Sequence, residues 1–270
     1  MNICFGIWFI REEIGLYNSS ILSVKDLSYT FSNEDPSKQI LSRVSIDIKT
    51  GEFVSVIGTS GSGKSTLFKL IAGLLEPIEG QIQINGKQCD KRLGKVGYMP
   101  QKDLLLPWRT VMDNILLPIE LVKENKKQKM VEIREWLTRF GLSEYENAYP
   151  HELSGGMRQR VAFLRTLMTG RDLLLLDEPF GALDSMTKRK MHSWLLELWG
   201  ELQKTVLFIT HDLEEAILLS DRIYLLPSDS SQIIQEVKIN LPRPRSSNFI
   251  YQSEFIEMRK ELERLIHDEG

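Results

Sequence analysis

Nine residues, Gly58-Thr59-Ser60-Gly61-Ser62-Gly63-Lys64-Ser65-Thr66, stand between a short apolar run at residues 53–57 and a stretch of helical periodicity from about Lys64 to Leu74. Few sequence features restrict a fold as much. Gly58, Gly61 and Gly63 carry no Cβ, so a large anion can approach the main chain closely. The N–H groups of such a loop converge on that anion from the N-terminal end of the helix. The helix dipole contributes about 0.3–1 kcal/mol, whereas each hydrogen bond to a charged group gives about 1.5–3 kcal/mol. Several amides together with the Lys64 ammonium therefore outweigh the dipole. The spacing G-x-x-x-x-G-K-S between strand and helix predicts a phosphate-binding loop and a nucleotide site, with the Ser65 hydroxyl offered to Mg2+. The glycine order of a dinucleotide-binding turn, G-x-G-x-x-G, is absent.

The pattern around the loop is that of an α/β chain. Residues 21–31 alternate as a strand does, residues 33–37 carry turn chemistry, and residues 44–48 alternate again. Residues 81–84 and 96–99 are further strand candidates. Between Asp103 and Gly170 the periodicity turns helical: Val131, Ile133, Trp136, Leu137 and Phe140 recur three to four apart. This predicts a helical insertion at about residues 103–170. Residues 173–176, Leu-Leu-Leu-Leu, read as a central parallel strand buried on both faces, and residues 205–210 as another. Helices are expected at residues 187–202 and 213–219, with a last strand at 222–226. Residues 1–20 read as an extension ahead of a nucleotide-binding domain at 21–245. Residues 246–270 close the chain with an amphipathic helix, whose Phe255, Met258, Leu262 and Leu265 share one face expected to dock on its own domain.

The strand at 173–176 delivers Asp177 and Glu178 to its C-terminal end, where open α/β sheets bind ligands. Asp177 is suited to hold Mg2+ through its water shell. Glu178 is suited to polarise a water for in-line attack on a γ-phosphate, as a general base.

Composition narrows the class further. The 270 residues carry a net charge of −3, with 42% apolar and 26% charged residues. That is an ordinary globular balance, and it disfavours a protein built to grip a nucleic-acid backbone. Cys4 and Cys89 show no paired spacing, so neither a disulfide framework nor a zinc site is expected. The apolar residues 3–10 fall far short of the roughly 20 that a membrane-spanning helix needs.

Beyond the phosphate loop, the residues resemble one family, the ATP-binding subunits of ABC transporters. Leu153-Ser154-Gly155-Gly156-Met157-Arg158-Gln159-Arg160 looks like the family's signature motif, and it precedes a Walker B-like strand as it does there. Gln101, within Tyr98-Met99-Pro100-Gln101, matches the Q-loop. Gly181-Ala182-Leu183-Asp184 matches the D-loop, and His211, within Ile209-Thr210-His211-Asp212, matches the switch. The resemblance covers about residues 21–241. Met157 stands where many members have Gln, and Phe31 where Tyr is commoner; neither change removes a catalytic group.

The resemblance implies a RecA-like phosphate-loop core, an antiparallel β subdomain and an inserted α-helical subdomain. It implies Mg2+-dependent ATP hydrolysis in a head-to-tail homodimer, with ATP held between the Lys64 loop of one copy and the Ser154 segment of the other. Phe31 stacks on adenine in this reading, with Tyr29 as the nearby alternative. Gln101 senses Mg2+ and water, Asp184 reaches across the dimer, and His211 contacts the γ-phosphate. Ser154, Gly155 and Gly156 also make physical sense as a second anion site, offering a hydroxyl and free amides at a helix start.

The segment from Gln101 to Val111, with its Leu104-Leu105-Leu106-Pro107-Trp108 cluster, reads either as a docking groove for a transmembrane permease or as core of the helical insertion. Its wording, with Leu241-Pro242-Arg243-Pro244-Arg245 in the tail, resembles the nitrate/sulfonate/taurine importer group. That placement implies a peripheral protein on the cytoplasmic face of the membrane, served indirectly by an external solute-binding protein. Two other classes are weighed against it. A soluble ABC ATPase acting on nucleic acid or a protein assembly usually carries two cassettes or a long coiled-coil insertion. A module that has lost hydrolysis would lack some of Lys64, Asp177, Glu178 and His211. His151, His192 and His267 are expected to be ordinary surface or packing residues.

Overall fold

The computed structural model describes residues 19–31, 39–181, 183–202, 204–227 and 234–268. Residues 1–18 of the expected extension, the turn at 33–37, Cys4, Ala182 and the His267 side chain lie outside the described residues.

Two β-sheets form, and sequence periodicity separates them. The first is antiparallel and built from β1 (Ser20–Thr30), β2 (Gln39–Lys49), β4 (Glu79–Ile84) and β5 (Lys87–Gln88), in the order β2-β1-β4-β5. Its strands alternate buried and exposed residues, as a sheet with one covered face must. The second contains β3 (Phe53–Ile57), β6 (Gly97–Met99), β7 (Leu173–Asp177), β8 (Thr205–Ile209), β9 (Arg222–Leu225) and β10 (Gln235–Lys238). Its order is β10-β9-β3-β8-β7-β6, parallel throughout except for β10. All five residues of β3, β7 and β8 are buried. Continuous apolar runs are what a sheet covered on both faces requires.

Seven α-helices lie among the described residues: α1 (Lys64–Ala72), α2 (Val111–Val122), α3 (Lys126–Arg139), α4 (Gly155–Leu167), α5 (Ser185–Leu202), α6 (Leu213–Leu219) and α7 (Ser253–Asp268). Alternate residues of one strand feed different cores. Leu174 and Leu176 pack with α2, α3, α4 and α5, while Leu173 and Leu175 pack with α1 and the antiparallel sheet. Full burial of one such leucine stabilises by about 1.5–3 kcal/mol. A third cluster joins α6 to the tail, where Phe255 and Leu262 of α7 are buried against Ala216, Ile217 and Ile223.

Several boundaries differ from the periodicity. α1 stops at Ala72 rather than near Leu74, because Gly73 turns left-handed (φ 77°) and its N–H, with that of Leu74, closes on the carbonyls of Leu70 and Lys69. α5 begins two residues earlier than the pattern implies, at Ser185, since the Asp184 carboxylate accepts the N–H groups of Met186 and Thr187. β5 and β10 have no periodicity of their own. They exist because β4 and β9 each offer an open edge.

Candidate nucleotide site

Strand order sets the site. β3, β8, β7 and β6 are consecutive neighbours, and each hands the chain to a functional segment at its C-terminal end. The phosphate loop follows β3, His211 follows β8, Asp177 and Glu178 end β7, and Gln101 follows β6. Four segments far apart in sequence thus stand in a row along one edge of the sheet, the edge where ligands of open α/β folds bind.

Within the loop, Lys64 is 7% exposed, and its ammonium donates to the carbonyls of Gly58 (2.9 Å) and Thr59 (2.7 Å). Burial lowers its pKa, while the charges of Glu178 and Asp177 work in the opposite sense. Ser62 is buried under the loop; Thr59, Ser60, Gly61 and Ser65 are exposed on it, and Thr66 turns inward as α1 begins. Gly58 leaves no room for a side chain, since a Cβ there would lie 2.3 Å from the Leu226 carbonyl oxygen. Gly58→Ala is therefore expected to push the loop off the end of β9. It should cost roughly 1–3 kcal/mol of stability, the range of overpacked core sites, and weaken ATP binding. Thermal unfolding and a nucleotide titration check both effects.

Asp177 is buried, and its two oxygens meet the hydroxyls of Ser65 (3.1 Å) and Tyr98 (3.5 Å). Burial raises its pKa; the Ser65 hydrogen bond opposes that shift and the Glu178 charge adds to it. Burial likewise raises the Tyr98 phenol, with Asp177 adding to the effect. Glu178 has left-handed backbone (φ 46°), uncommon outside glycine, and its N–H is anchored on the Ile209 carbonyl at 3.0 Å. That turn aims the carboxylate out of the strand. Its Oε2 accepts from Gln101 Nε2 at 2.9 Å and lies 3.5 Å from His211 Nδ1. Gln101, Gln159, Glu178, Gly181 and His211 line an open cleft of about 690 Å3.

Residues 41–181 match the ABC transporter family. The chain is 40% identical over 252 residues to the formylaminopyrimidine import ATP-binding protein ThiZ of Halalkalibacterium halodurans, covering 93% of this chain and 98% of that protein. It is 41% identical over 241 residues to the aliphatic sulfonates import ATP-binding protein SsuB of Bacillus cereus, covering 89% and 94%. Among solved structures, it resembles a dimeric ATP-binding cassette in a post-hydrolysis state bound to ADP and phosphate. The TM-score is 0.69 and the identity 31%, over 82% of this chain and all of that one.

The chain belongs to the ABC transporter family. It is an ATP-binding, ATP-hydrolysing subunit of the import type, and its fold is the expected phosphate-loop core with a parallel sheet.

The remaining motif residues of this ABC subunit lie in two further groups. Ser154 caps α4, its hydroxyl accepting the Met157 N–H at 3.3 Å, and Gly155 beside it is exposed. Gly156 is buried where a Cβ would come within 3.1 Å of Thr187 in the first turn of α5. The signature segment and Asp184 thus share a neighbourhood. Among the described residues, neither bonds to Lys64, Asp177, Glu178 or His211. The hydrogen bonds of Thr187 hold the exposed Asp184 carboxyl below its ordinary pKa. Phe31 is 68% exposed, its ring meeting Tyr29 edge-on at 5.2 Å.

The apolar cluster after Gln101 divides. Leu105 is core, whereas Leu104 is 59% and Trp108 71% exposed. Three polar side chains anchor this segment, and only one of them, Arg158, belongs to a motif. Asn114, fully buried in α2, accepts the Leu106 N–H and donates to the carbonyls of Leu106, Arg109 and Thr110. Arg165 donates to the carbonyls of Asp103 and Leu104, and Arg158 pairs with the Asp103 carboxylate at 3.2 Å. In the sequence, Asn114 and Arg165 read as ordinary polar residues of helices.

A buried ionic cluster lies behind the switch, and its Glu215, Lys188 and His192 belong to no motif in the sequence. Glu215 is 3% exposed and takes His192 Nε2 at 2.9 Å, the Lys188 ammonium at 2.8 Å and the Thr210 hydroxyl at 2.5 Å. Burial alone would raise its pKa, but these hydrogen bonds outweigh burial and hold it below the usual range. Lys188 also pairs with Asp212 at 2.8 Å. Burial works against its charge, yet the two carboxylates raise its pKa overall. His192, expected as an ordinary surface or packing residue, is thus the buried partner of a carboxylate; His151 is exposed and stacks on Tyr149.

Proposed function

We propose that this subunit drives uptake of a small polar solute through separate membrane subunits, by Mg2+-ATP-dependent closure of a homodimer and hydrolysis in the closed state. The observation that carries the reading is the convergence at Glu178 Oε2. A carboxylate turned out of its strand has a Gln amide at 2.9 Å and a His ring nitrogen at 3.5 Å, beside a phosphate loop on the neighbouring strands.

Residues 58–66 wrap the triphosphate, the backbone amides and Lys64 meeting the β- and γ-phosphates. Glu178 takes a proton from the attacking water at Oε2, while Gln101 and His211 fix where that water and the γ-phosphate stand. The site suits Mg2+. Ser65 Oγ and Asp177 Oδ1 are oxygen donors 3.1 Å apart, and among the described residues the buried carboxylate meets only neutral hydroxyls. Ser65 and Asp177, with Gln101 nearby, would hold the cation beside the phosphates. When bound there, Mg2+ would supply neutralisation of the charge that develops on the phosphate oxygens.

Phe31 offers its exposed face to adenine. Ser154, Gly155, Gly156 and Asp184 serve the nucleotide of the opposite copy; the dimeric cassette it resembles supports that arrangement. The surface around Trp108 receives the membrane subunit. Trp108→Glu should leave ATP hydrolysis by the isolated subunit unchanged and abolish its co-purification with the membrane subunits; an intact complex would place docking elsewhere. For the solute, the wording of residues 104–111 and 241–245 points to the sulfonate, taurine and nitrate kind, while the likenesses to SsuB (41%) and ThiZ (40%) do not separate that kind from a formylaminopyrimidine. Uptake of each by a strain lacking this subunit decides between them.

A further inference from the structure

The switch residue His211 is 61% exposed at its side chain, with Glu178 Oε2 3.5 Å from its Nδ1. Its position must therefore come from its backbone neighbours, and both are clamped from behind. Thr210, fully buried, gives its hydroxyl proton to Glu215 Oε2 while its oxygen accepts the Asp212 N–H at 3.0 Å. Asp212 caps α6 through the N–H groups of Glu214 and Glu215, and its other oxygen holds the Lys188 ammonium. Glu215 is an acceptor only, so the His192 nitrogen facing it at 2.9 Å carries the proton.

The far side of this clamp is α5. Lys188 and His192 lie one turn apart on it, and its first turn carries Asp184 as the cap and Thr187 against Gly156. One short helix segment thus touches the signature motif at its start and the switch loop one turn later. A buried carboxylate with three donors has little freedom, since losing any of them would leave a desolvated charge. Movement of the α5 start must therefore carry the switch loop with it or break the cluster.

We infer that Glu215 and Lys188 are positioning residues that set His211 and tie it to the α5 segment bearing Asp184. This rests on the reading of His211 as the γ-phosphate contact proposed above. Neither residue touches nucleotide; both act through residues 210–212.

A double-mutant cycle on the full chain tests it. Glu215→Gln and Lys188→Met are each combined with His211→Ala, with kcat, KM for ATP and thermal midpoint measured. Each single variant should lose roughly 10- to 100-fold in kcat, as misplaced or unsupported catalytic groups do, with KM for ATP held within about twofold. In the His211→Ala background neither should lower the residual rate further, because both act through that side chain. Lys188→Met removes the partly exposed member of the cluster, so the test stands even where Glu215→Gln fails to fold. Wild-type kcat in Lys188→Met, or an equal fractional loss with and without His211, overturns the inference and leaves the site reading intact. Full activity in His211→Ala alone overturns the reading of the switch, and the inference with it.

Discussion

With Glu178 replaced by Gln, ATP should still bind, while hydrolysis slows at least ~10²-fold, since general-base catalysis contributes about 10²–10⁴. Gln has the size of Glu and keeps an oxygen for the Gln101 amide, now 2.9 Å from Glu178 Oε2. What it lacks is a group that accepts a proton from water. The substitution also removes a negative charge facing the phosphates, one that raises the pKa of Lys64, so nucleotide affinity should hold or improve. A closed dimer that cannot hydrolyse should then accumulate. Size-exclusion chromatography with ATP should show a doubled mass for the variant, and a phosphate-release assay should show the lost rate. Turnover at the wild-type rate would remove Glu178 as the base.

Lys64→Ala should fail at an earlier step. The ammonium is almost buried and is already held on the loop by two carbonyls, so it reaches phosphate with little side-chain entropy left to lose. Its charge-assisted hydrogen bonds give about 1.5–3 kcal/mol, and at 1.4 kcal/mol per decade that predicts an ATP affinity lower by roughly 10- to 100-fold. Calorimetric titration of ATP reads this directly. The two variants separate the roles: one keeps nucleotide and loses rate, the other loses nucleotide. Unchanged ATP affinity in Lys64→Ala would mean that the loop amides alone hold the phosphates.

The part of the site that could be read in the sequence is the part whose physics is local. A phosphate loop is a backbone conformation with glycines at fixed spacing, and β7 and β8 are apolar runs whose burial on both faces leaves no alternation to confuse. Asp177, Glu178 and His211 follow because each sits at the end of such a run. Glu215 shows where local reading stops. It stands in the first turn of a helix behind the N-cap Asp212, where an acid normally serves the helix dipole in water. Its burial is decided by α5, whose Lys188 and His192 lie 27 and 23 residues away. Asn114 is similar, since its four bonds depend on how residues 106–110 fold back over α2. β10 carries the polar sequence Gln-Glu-Val-Lys, and only the open edge of β9 makes it a strand. Long-range partners decide these elements, and one-dimensional periodicity carries no record of them.

A structure of the Glu178→Gln protein with ATP and Mg2+ decides whether two copies share each nucleotide. Two nucleotides are expected in one dimer, each with Lys64 of one copy and Ser154 of the other on the same γ-phosphate. A nucleotide held by a single copy, with the signature segment of the second copy facing away from it, would mean that the nucleotide is not shared between copies.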